Sequence, residues 1–440
     1  MKKLLPLLIG AALGSLSSSV WADSLAEIYD LAKQNDPQLL SVQAKRDAAF
    51  EAVTSSRSTL LPQINLTAGY NLKRGDTDLD AGVTIDNDQN ALTAGINFSQ
   101  ELYQRSSWIT LDNAEKSARQ ADAAYAATQQ GLILRTAQAY FEVLKAQDNL
   151  EFVRAEKAAV ARQLEQTKQR FEVGLSAITD VHDAQAQYDG VLADEVLAEN
   201  SLTNSYEALR EITGQEHKNL NVLDTKRFSA SRSNASAEAL IEEAQEKNLS
   251  LLSARISKDI AKDSISLASS GHLPSLTLDG GYNYADVSSS TNDGTTNNFN
   301  VGVNLVVPLY TGGNTSSQTK QAEFNYVSAS QDLEATYRGV VKEVRAQNNN
   351  INASIGALRA YEQSVVSARS ALEATEAGFD VGTRTIVDVL DATRRLYDAN
   401  KNLSNARYNY ILSVLQLRQA VGTLSEQDVL EVDAGLIAKK

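Results

Sequence analysis

The sequence predicts a mostly α-helical chain made of two similar repeats, each carrying a pair of amphipathic β-strands. Three observations support this fold class. Proline, the strongest helix breaker, is absent from the long stretches 63–273 and 309–440. Four short segments alternate apolar and polar residues, a pattern typical of strands with two different faces. Several motifs recur in the same order about 210 residues apart, which indicates that one structural unit is present twice.

The first repeat is predicted over 23–213. It begins with helix, in which Asp36-Pro37 has the form of an N-cap followed by proline at the first helical position. Two strands follow with a polar connection: 63–72, the loop 73–90, and 91–99. From 106 to 173 there is neither proline nor a turn cluster, which predicts a helix of about 68 residues, or roughly 100 Å. A short turn and a second helix of about 38 residues complete the repeat.

The second repeat is predicted over 237–421 and has the same elements in the same order. Its strands and their polar connection are 275–284, the loop 285–298, and 299–309. The Leu-Pro pair that precedes the first strand recurs 212 residues later, before the third strand. Polar segments at 214–236 and 422–440 are expected to follow each repeat as linkers.

The N-terminus has the pattern of a secretory signal peptide. Two lysines at positions 2 and 3 precede an apolar stretch over 4–16, and Val20 and Ala22 suit a signal-peptidase site. We predict that residues 1–22 are removed after Ala22 and that the protein leaves the cytoplasm. A membrane-anchored N-terminus is the alternative.

Composition excludes several functional classes. The 440 residues contain no cysteine, which excludes disulfides, thiolate metal sites and a cysteine nucleophile. Lys plus Arg number 41 against 55 Asp plus Glu, a net charge of −14, and so acidic a chain is not expected to bind nucleic acid. His182, His217 and His272 are scattered, and no phosphate-loop or dinucleotide motif is present. We therefore expect neither an enzyme nor a cofactor.

The four strands are too few to close a membrane barrel within one chain. Each is about long enough to cross a bilayer as a tilted strand. Because open strand edges are not tolerated in lipid, the chain must then assemble with copies of itself. Two copies give eight strands and a nearly filled interior, and three give twelve strands and a passage. Composition does not choose between them, although a duct favours three.

Pairs of acidic residues follow the two helix turns. Asp388 and Asp391 are three positions apart and share one helix face, and Asp180 and Asp183 are their counterparts in the first repeat. A glycosidase would need two opposed carboxylates, which one helix rarely supplies. Helix capping is the simpler interpretation, because Thr385 and Asp388 have capping-box spacing.

Five stretches carry a family resemblance: GTRTIVDVLDAT at 382–393, ARYNY at 406–410, HLP at 272–274, QRFEVGL at 169–175 and AITDV at 177–181. With them the chain resembles the TolC family, the outer-membrane exit ducts of tripartite efflux pumps and type I secretion systems in Gram-negative bacteria. The resemblance covers essentially the whole chain after the signal peptide. It implies a homotrimer with a 12-stranded outer-membrane β-barrel, continued by a long α-helical coiled-coil tunnel in the periplasm.

The resemblance also implies a function and partners. It implies a channel that gives drugs, toxins and secreted proteins a passive exit, and thereby multidrug resistance. Docking of a periplasmic adaptor (membrane fusion) protein and an inner-membrane transporter, of the resistance-nodulation-division or ABC type, would open it. Outer-membrane lipid would surround the barrel. The alternative is a structural coiled-coil tether or adhesin anchored in the outer membrane, which would need neither polar inward strand positions nor the acidic pair.

Candidate site residues follow from the same resemblance. Asp388 and Asp391 would form the entrance constriction, where rings of carboxylates favour cations and multivalent cations block the pore, with no intrinsic metal. An entrance latch would hold the tunnel shut, and its residues are Arg384, Thr179, Asp180, Phe379 and Gln169. The adaptor would dock on two turns: Val173, Gly174, Leu175, Val381, Gly382 and Thr383. Phe379 stands where the family often has a tyrosine, so the hydroxyl hydrogen bond of that tyrosine is missing here.

Overall fold

The computed structural model describes residues 23–80, 82–86, 88–232, 235–289 and 293–438. The signal peptide predicted over 1–22 lies outside the described residues. Helices and strands occur twice in the same order, with two short strands added in the first half. The elements up to the middle of the chain are α1 (Leu25–Asn35), α2 (Pro37–Ser58), β1 (Gln63–Lys73), β2 (Asp76–Leu79), β3 (Val83–Asp86), β4 (Gln89–Tyr103), α3 (Arg105–Glu172), α4 (Ile178–Thr213) and β5 (Val222–Leu223).

The second half repeats this arrangement. Its elements are α5 (Ala237–Lys247), α6 (Leu249–Ser269), a 3₁₀ turn (Ser270–His272), β6 (Ser275–Ser289), β7 (Gly294–Val306), α7 (Asn314–Asp380), α8 (Ile386–Val421), α9 (Glu426–Asp433) and β8 (Leu436–Ile437). The order α1-α2-β1-β4-α3-α4 therefore recurs as α5-α6-β6-β7-α7-α8. The two halves share one architecture because they share one pattern of sequence.

The start of each repeat is divided into two helices by a capping residue. Asp36 accepts a hydrogen bond from the main-chain N–H of Leu39 at 2.8 Å, and Pro37 occupies the first position of α2. Asn248 does the same for Leu251 at 3.1 Å in the second repeat. Asp36 is buried and also holds the guanidinium of Arg135 by two hydrogen bonds, at 2.8 and 3.2 Å. The cap thus ties α2 to the long helix α3.

Two long helical hairpins dominate the molecule. α3 has 68 residues and α7 has 67, so each is about 100 Å long at 1.5 Å per residue. α4 and α8, of 36 residues each, fold back along the distal halves of these helices. No helix in the described part of the chain is long and apolar enough to cross a membrane. Helices this long are stabilised by packing against one another, since none has a core of its own.

The four principal strands form one antiparallel sheet in the order β1-β4-β6-β7. The register of the strands places apolar side chains opposite apolar ones, and polar side chains opposite polar ones, across the whole sheet. Leu66 lies opposite Ile96, Ile96 opposite Tyr282, and Tyr282 opposite Phe299. The adjacent row on the other face contains Thr67, Gly95, Asn283 and Asn298. One face of the sheet is therefore apolar and the other polar.

This sheet is unusual for a folded chain because its apolar face is uncovered and its two outer edges are unpaired. The side chains of Leu66 and Phe299 are 77% and 76% exposed. Within the described residues, β1 pairs only with β4, and β7 only with β6. Exposed apolar rows and free strand edges are both liabilities in water.

The main core lies where both hairpins meet the short helices. We call it the belt core; among its fully buried members are Leu25, Ile28, Leu132, Tyr140, Phe141 and Leu209. Burial of each such side chain contributes roughly 1.5–3 kcal/mol. The Tyr140 hydroxyl donates to the carbonyl of Asn221 at 2.8 Å, and burial raises the pKa of this phenol. Buried His217 lies 2.8 Å from the carboxylate of Asp23, which holds the linker against the start of the described chain.

Four segments expected to be irregular contain ordered structure. In the polar loop predicted over 285–298, β6 continues to Ser289 and β7 already begins at Gly294. The polar loop predicted over 73–90 holds the hairpin β2–β3, and its neighbour β4 begins at Gln89 rather than 91. In the predicted linkers, β5 pairs with β8 over two residues and α9 packs beside α1. Four-residue and two-residue strands are too short to show alternation, which is why the sequence pattern did not predict them.

Candidate functional site

The candidate site lies at the far ends of the two hairpins, where both chain reversals have the same backbone. Gly174 and Gly382 each have a φ of 77°, in the left-handed region that favours glycine. Gly174 N–H donates to the Phe171 carbonyl at 2.9 Å, and Gly382 N–H donates to the Phe379 carbonyl at 3.1 Å. The two turns are thus equivalent parts of the repeat.

Apolar side chains project into solvent at these turns. Val173, Leu175 and Val381 are 70%, 77% and 75% exposed. Thr383 is held differently, since its hydroxyl donates back to the carbonyl of Gly378 at 3.0 Å. An exposed apolar cluster at the tip of a long helical hairpin is suited to contact another protein.

Asp388 is the third residue of α8 and forms a capping box with Thr385, the N-cap of this helix. One of its carboxylate oxygens accepts from both the N–H and the hydroxyl of Thr385, each at 2.9 Å, and the Thr385 hydroxyl lies 3.3 Å from the N–H of Asp388. These hydrogen bonds lower the pKa of the Asp388 carboxyl, and the nearby charge of Arg384 lowers it further. Asp388 therefore stays ionised at the exposed start of the helix.

Asp391 has a neighbour that the sequence interpretation did not include. The guanidinium of Arg395, one turn further along α8, lies 2.6 Å from its carboxylate. Both side chains are exposed, at 52% for Asp391 and 74% for Arg395. Each carboxylate predicted at the constriction thus has local hydrogen bonds or a salt bridge within the single chain.

The first hairpin holds its own acidic residue in the same way. Asp180 accepts from the Ser176 hydroxyl at 2.6 Å and from the Ala177 N–H at 3.1 Å, which caps α4. Gln169 donates to Glu165, one turn earlier on the same helix, at 3.1 Å. The capping predicted for these acidic residues is thus present at both helix starts.

The predicted latch residues are close along the chain but are not joined in the single chain. Arg384 donates its main-chain N–H to the carbonyl of Gly378 at 3.2 Å, and its side chain lies against that glycine. Across the described ranges, no hydrogen bond or ion pair connects Arg384 with Thr179 or Asp180. The two hairpins are instead linked near their tips by a residue of the QRFEVGL stretch to which the sequence interpretation gave no role.

That residue is Arg170, in the last turn of α3. Its guanidinium carbon lies 4.4 Å from the centre of the Phe379 ring. The same group is 3.4 Å from the Phe379 carbonyl oxygen and 3.4 Å from the carboxylate of Asp380. Its sequence signal is weak, because an arginine on a helix surface is usually a solvated cation.

Beneath these contacts lies a small apolar core, which we call the tip core. Its members come from three helices, and they are Val160, Leu164, Ala184, Val191, Ile386, Val389 and Leu390. Phe379 packs against its margin. Helix α8 is thus attached to α3 and α4 near the tips by apolar contact, and Arg170 adds a link from α3 to the end of α7.

A polar cleft separates the tip core from the belt core. It has a volume of about 450 Å³, lies between α3, α4 and α8, and is lined by Glu156, Asp194, Asp398 and Lys401 among others. Burial raises the pKa of Glu156 to about 7, with further contributions from the charges of Asp398 and Asp194. Sequence reasoning missed Glu156, because its neighbours come from helices far apart in the chain. Within the described residues, no group of His, Asp or Glu side chains is placed to hold a metal ion.

Comparison with known proteins gives a consistent result. The family model described as outer membrane efflux protein matches the chain twice, over 28–215 and 240–423, which correspond to the two repeats. The chain is 78% identical to outer membrane protein TolC of Vibrio cholerae over the full length of both. It is 30% identical to alkaline protease secretion protein AprF of Pseudomonas aeruginosa, over 100% of this chain and 92% of that one. The crystal structure of the CmeC outer membrane channel of Campylobacter jejuni superposes with a TM-score of 0.78 at 18% identity, over 99% of this chain and 98% of the other.

Proposed function

The chain belongs to the outer membrane efflux protein family, and from this premise we propose how it forms an exit duct. It is a transport channel of the outer membrane with its helices in the periplasm, and it is not an enzyme. Efflux and secretion are the class of function to which the family model and the relative AprF point. We propose in addition how the chain assembles, where the tunnel entrance lies and which surface binds the adaptor.

The assembly is proposed to be a homotrimer with a 12-stranded barrel. The observation that carries it is the four-stranded sheet, with one apolar face exposed and two edges unpaired. Three copies joined edge to edge would bury every strand edge and turn the apolar face to outer-membrane lipid. The polar face, with Thr67 and Asn283, would then line a water-filled passage wide enough for solutes.

The barrel is tested by placing a charge on either face of one strand. Leu66→Arg would put a cation on the lipid face, at a cost of about 2–4 kcal/mol per chain near the bilayer midplane. Asn65→Arg, on the opposite face of β1, is the matched control. We expect Leu66→Arg to reduce the outer-membrane trimer measured by native mass spectrometry, with little change for Asn65→Arg. A dimeric parent, or equal effects of the two substitutions, would contradict the proposed barrel.

The turns are proposed to receive the periplasmic adaptor protein. Val173, Leu175 and Val381 expose apolar side chains beside Gly174, Gly382 and Thr383, at the ends farthest from the sheet. An inner-membrane transporter of the resistance-nodulation-division or ABC type would dock with the adaptor and complete the export path. We expect Leu175→Ser to abolish drug efflux in cells without changing the amount of trimer. Normal efflux by this variant would show that the turn is not part of the docking surface.

The entrance constriction is proposed to carry the carboxylates of Asp388 and Asp391 from three chains. Such rings attract cations and would take multivalent cations that block the current. Because Arg395 neutralises part of this charge, selectivity should rise in Arg395→Gln. We expect Asp388→Ala combined with Asp391→Ala to abolish block by trivalent cations in planar bilayers while leaving trimers intact. If trivalent cations block the double variant as strongly as the parent, the constriction does not lie at Asp388 and Asp391.

The entrance latch is proposed to form between Arg384 of one hairpin and Thr179-Asp180 of another in the assembled trimer. A guanidinium suits this role because its planar donors reach a hydroxyl and a carboxylate together. Gln169 and Phe379 lie at the same level of the hairpins, and Phe379 offers no hydroxyl donor. We expect Arg384→Ser to increase single-channel conductance, with Asp180→Ala giving a similar increase. Fully additive effects in the double variant would show that the two residues do not share a contact.

A tether or adhesin is the alternative function. It would need neither a polar sheet face nor acidic residues at a helix entrance. Single-channel recording of the purified trimer separates the two possibilities. A duct conducts ions in a defined unit step, and a filled barrel does not.

A further inference from the structure

Arg170 joins two segments that are more than 200 residues apart in the chain. Its guanidinium covers the ring of Phe379 at 4.4 Å and reaches the carbonyl of Phe379 and the carboxylate of Asp380. Arg170 ends the long helix of the first hairpin, and Phe379 and Asp380 end that of the second. We propose that Arg170 is a gating residue, which clamps the tip of the second hairpin against the first and opposes opening of the tunnel entrance. This inference rests on the proposed duct.

The clamp has no counterpart in the other repeat. The position equivalent to Arg170, 208 residues later, is Gly378. A side chain there would collide with Arg384, whose Cγ lies 2.8 Å from where a Cβ would stand. Conversely, the position equivalent to Arg384 in the first repeat is Ser176. The two hairpins thus carry an arginine at different places near their turns, and of these two arginines it is Arg170 that reaches across to the other hairpin within the described chain.

The environment of Arg170 is suited to a reversible contact. Its side chain is 27% exposed and that of Asp380 is 64% exposed, so the ion pair is partly hydrated and weak. The Phe379 ring is held at the margin of the tip core, which gives the guanidinium a fixed surface to cover. Loss of the clamp leaves the tip core in place, so the hairpins should still fold and assemble.

The strength of the contact between Arg170 and Phe379 is suited to a gate. A partly exposed cation–π contact shifts an equilibrium about two- to fivefold, and the two long hydrogen bonds add little to it. In a symmetric assembly several copies act together. A docking partner could therefore overcome the clamp, while without a partner the closed state would predominate.

The first experiment records single-channel conductance of the full-length trimer in planar bilayers. Arg170→Gln, which removes the charge and keeps a polar chain, should raise the open fraction about threefold. Arg170→Lys keeps the charge but loses the planar group, and should give a smaller rise. Lys168→Gln is the matched control, since it removes an exposed cation two residues away on the same helix. If Arg170→Gln leaves the open fraction unchanged, or if Lys168→Gln raises it equally, the proposed clamp is wrong.

The partner ring is tested in the same assay. Phe379→Leu should mimic Arg170→Gln, whereas Phe379→Tyr keeps the ring and should stay closer to the parent. The combination of Arg170→Gln with Phe379→Leu should add little, because both changes remove one contact. Full additivity would show that Arg170 acts through some other group.

A second measurement tests the clamp even if the duct proposal fails. The chain has no cysteine, so spin labels can be attached at Val173→Cys and Val381→Cys, both on exposed turns. Arg170→Gln should lengthen and broaden the distance distribution between these labels, and Lys168→Gln should not. An unchanged distribution would overturn the clamp. A changed distribution in a protein that never conducts would retain the clamp and reject the duct.

Discussion

Glu156 makes the stability of the helical hairpins depend on pH. It lies on α3 and faces the polar cleft of about 450 Å³ below the belt core. Asp194 faces it from α4, and Asp398, Arg394 and Lys401 face it from α8. Burial is the main cause that raises the pKa of Glu156 to about 7, and the two aspartates add to it. The two basic side chains oppose this rise without cancelling it.

The direction of the effect follows from proton binding. The folded chain holds the Glu156 proton more tightly than the unfolded chain, where the pKa is near 4.5. The contribution of Glu156 to the free energy of unfolding must therefore fall as pH rises from about 4.5 to 7, and stay level beyond these limits. A rise of about 2.5 pH units corresponds to at most roughly 3.4 kcal/mol at 1.36 kcal/mol per pH unit. Because the cleft is partly hydrated, we expect about 1–2 kcal/mol.

Glu156→Gln tests this reasoning, since glutamine has the same shape and no charge. Urea unfolding of the detergent-solubilised protein, followed by helical circular dichroism, should be measured at pH 5 and pH 8. The variant should be about 1–2 kcal/mol more stable than the parent at pH 8, with a much smaller gain at pH 5. Glu151→Gln, at an exposed position on the same helix, is the control and should show no such difference. A parent that is at least as stable as Glu156→Gln at pH 8 would refute the argument.

Two further predictions concern the junctions of the short helices with the hairpins. Asp36→Ala should lower the free energy of unfolding by about 2–4 kcal/mol, because it removes the hydrogen bonds to the partly exposed Arg135 and a helix cap. Asp36→Asn, which keeps the cap, should lose less in the same urea titration. Gly422→Ala should cost about 2–4 kcal/mol, since φ is +89° and a Cβ would collide with the backbone of Lys247. Gly214→Ala shares the left-handed backbone but meets only ordinary contacts, so it should cost about 1–2 kcal/mol. Equal losses for the two glycines would contradict the collision.

The long elements were predictable because their signals are local and repeated. The absence of proline over 63–273 and 309–440 predicts the great length of α3 and α7, since helix propagation needs only each residue and its neighbours within four positions. Alternation over about ten residues predicts β1, β4, β6 and β7, because the period of a strand is visible without its partner. The cap at Asp36 follows from two adjacent residues.

The site could be predicted only in part. The turns and the capping role of Asp388 are encoded within a few residues, and the structure has both. Arg170 and Glu156 carry no local mark that separates them from other charged residues on α3. Their partners, Phe379 and Asp398, lie more than 200 residues away, and neither pairing could be inferred from spacing. Only the packing of the hairpins brings them together.

The sequence by itself determined the two repeats, the long helices, the turns and the two-faced strands, because each depends on periodicity or on contacts within a few residues. The tertiary structure alone decided the strand order β1-β4-β6-β7, the pairing of β5 with β8, and the clamp and cleft between hairpins. These depend on which distant surfaces meet, and many pairings of amphipathic helices and strands satisfy the same pattern. Shape and register choose among them, and both exist only once the chain has folded.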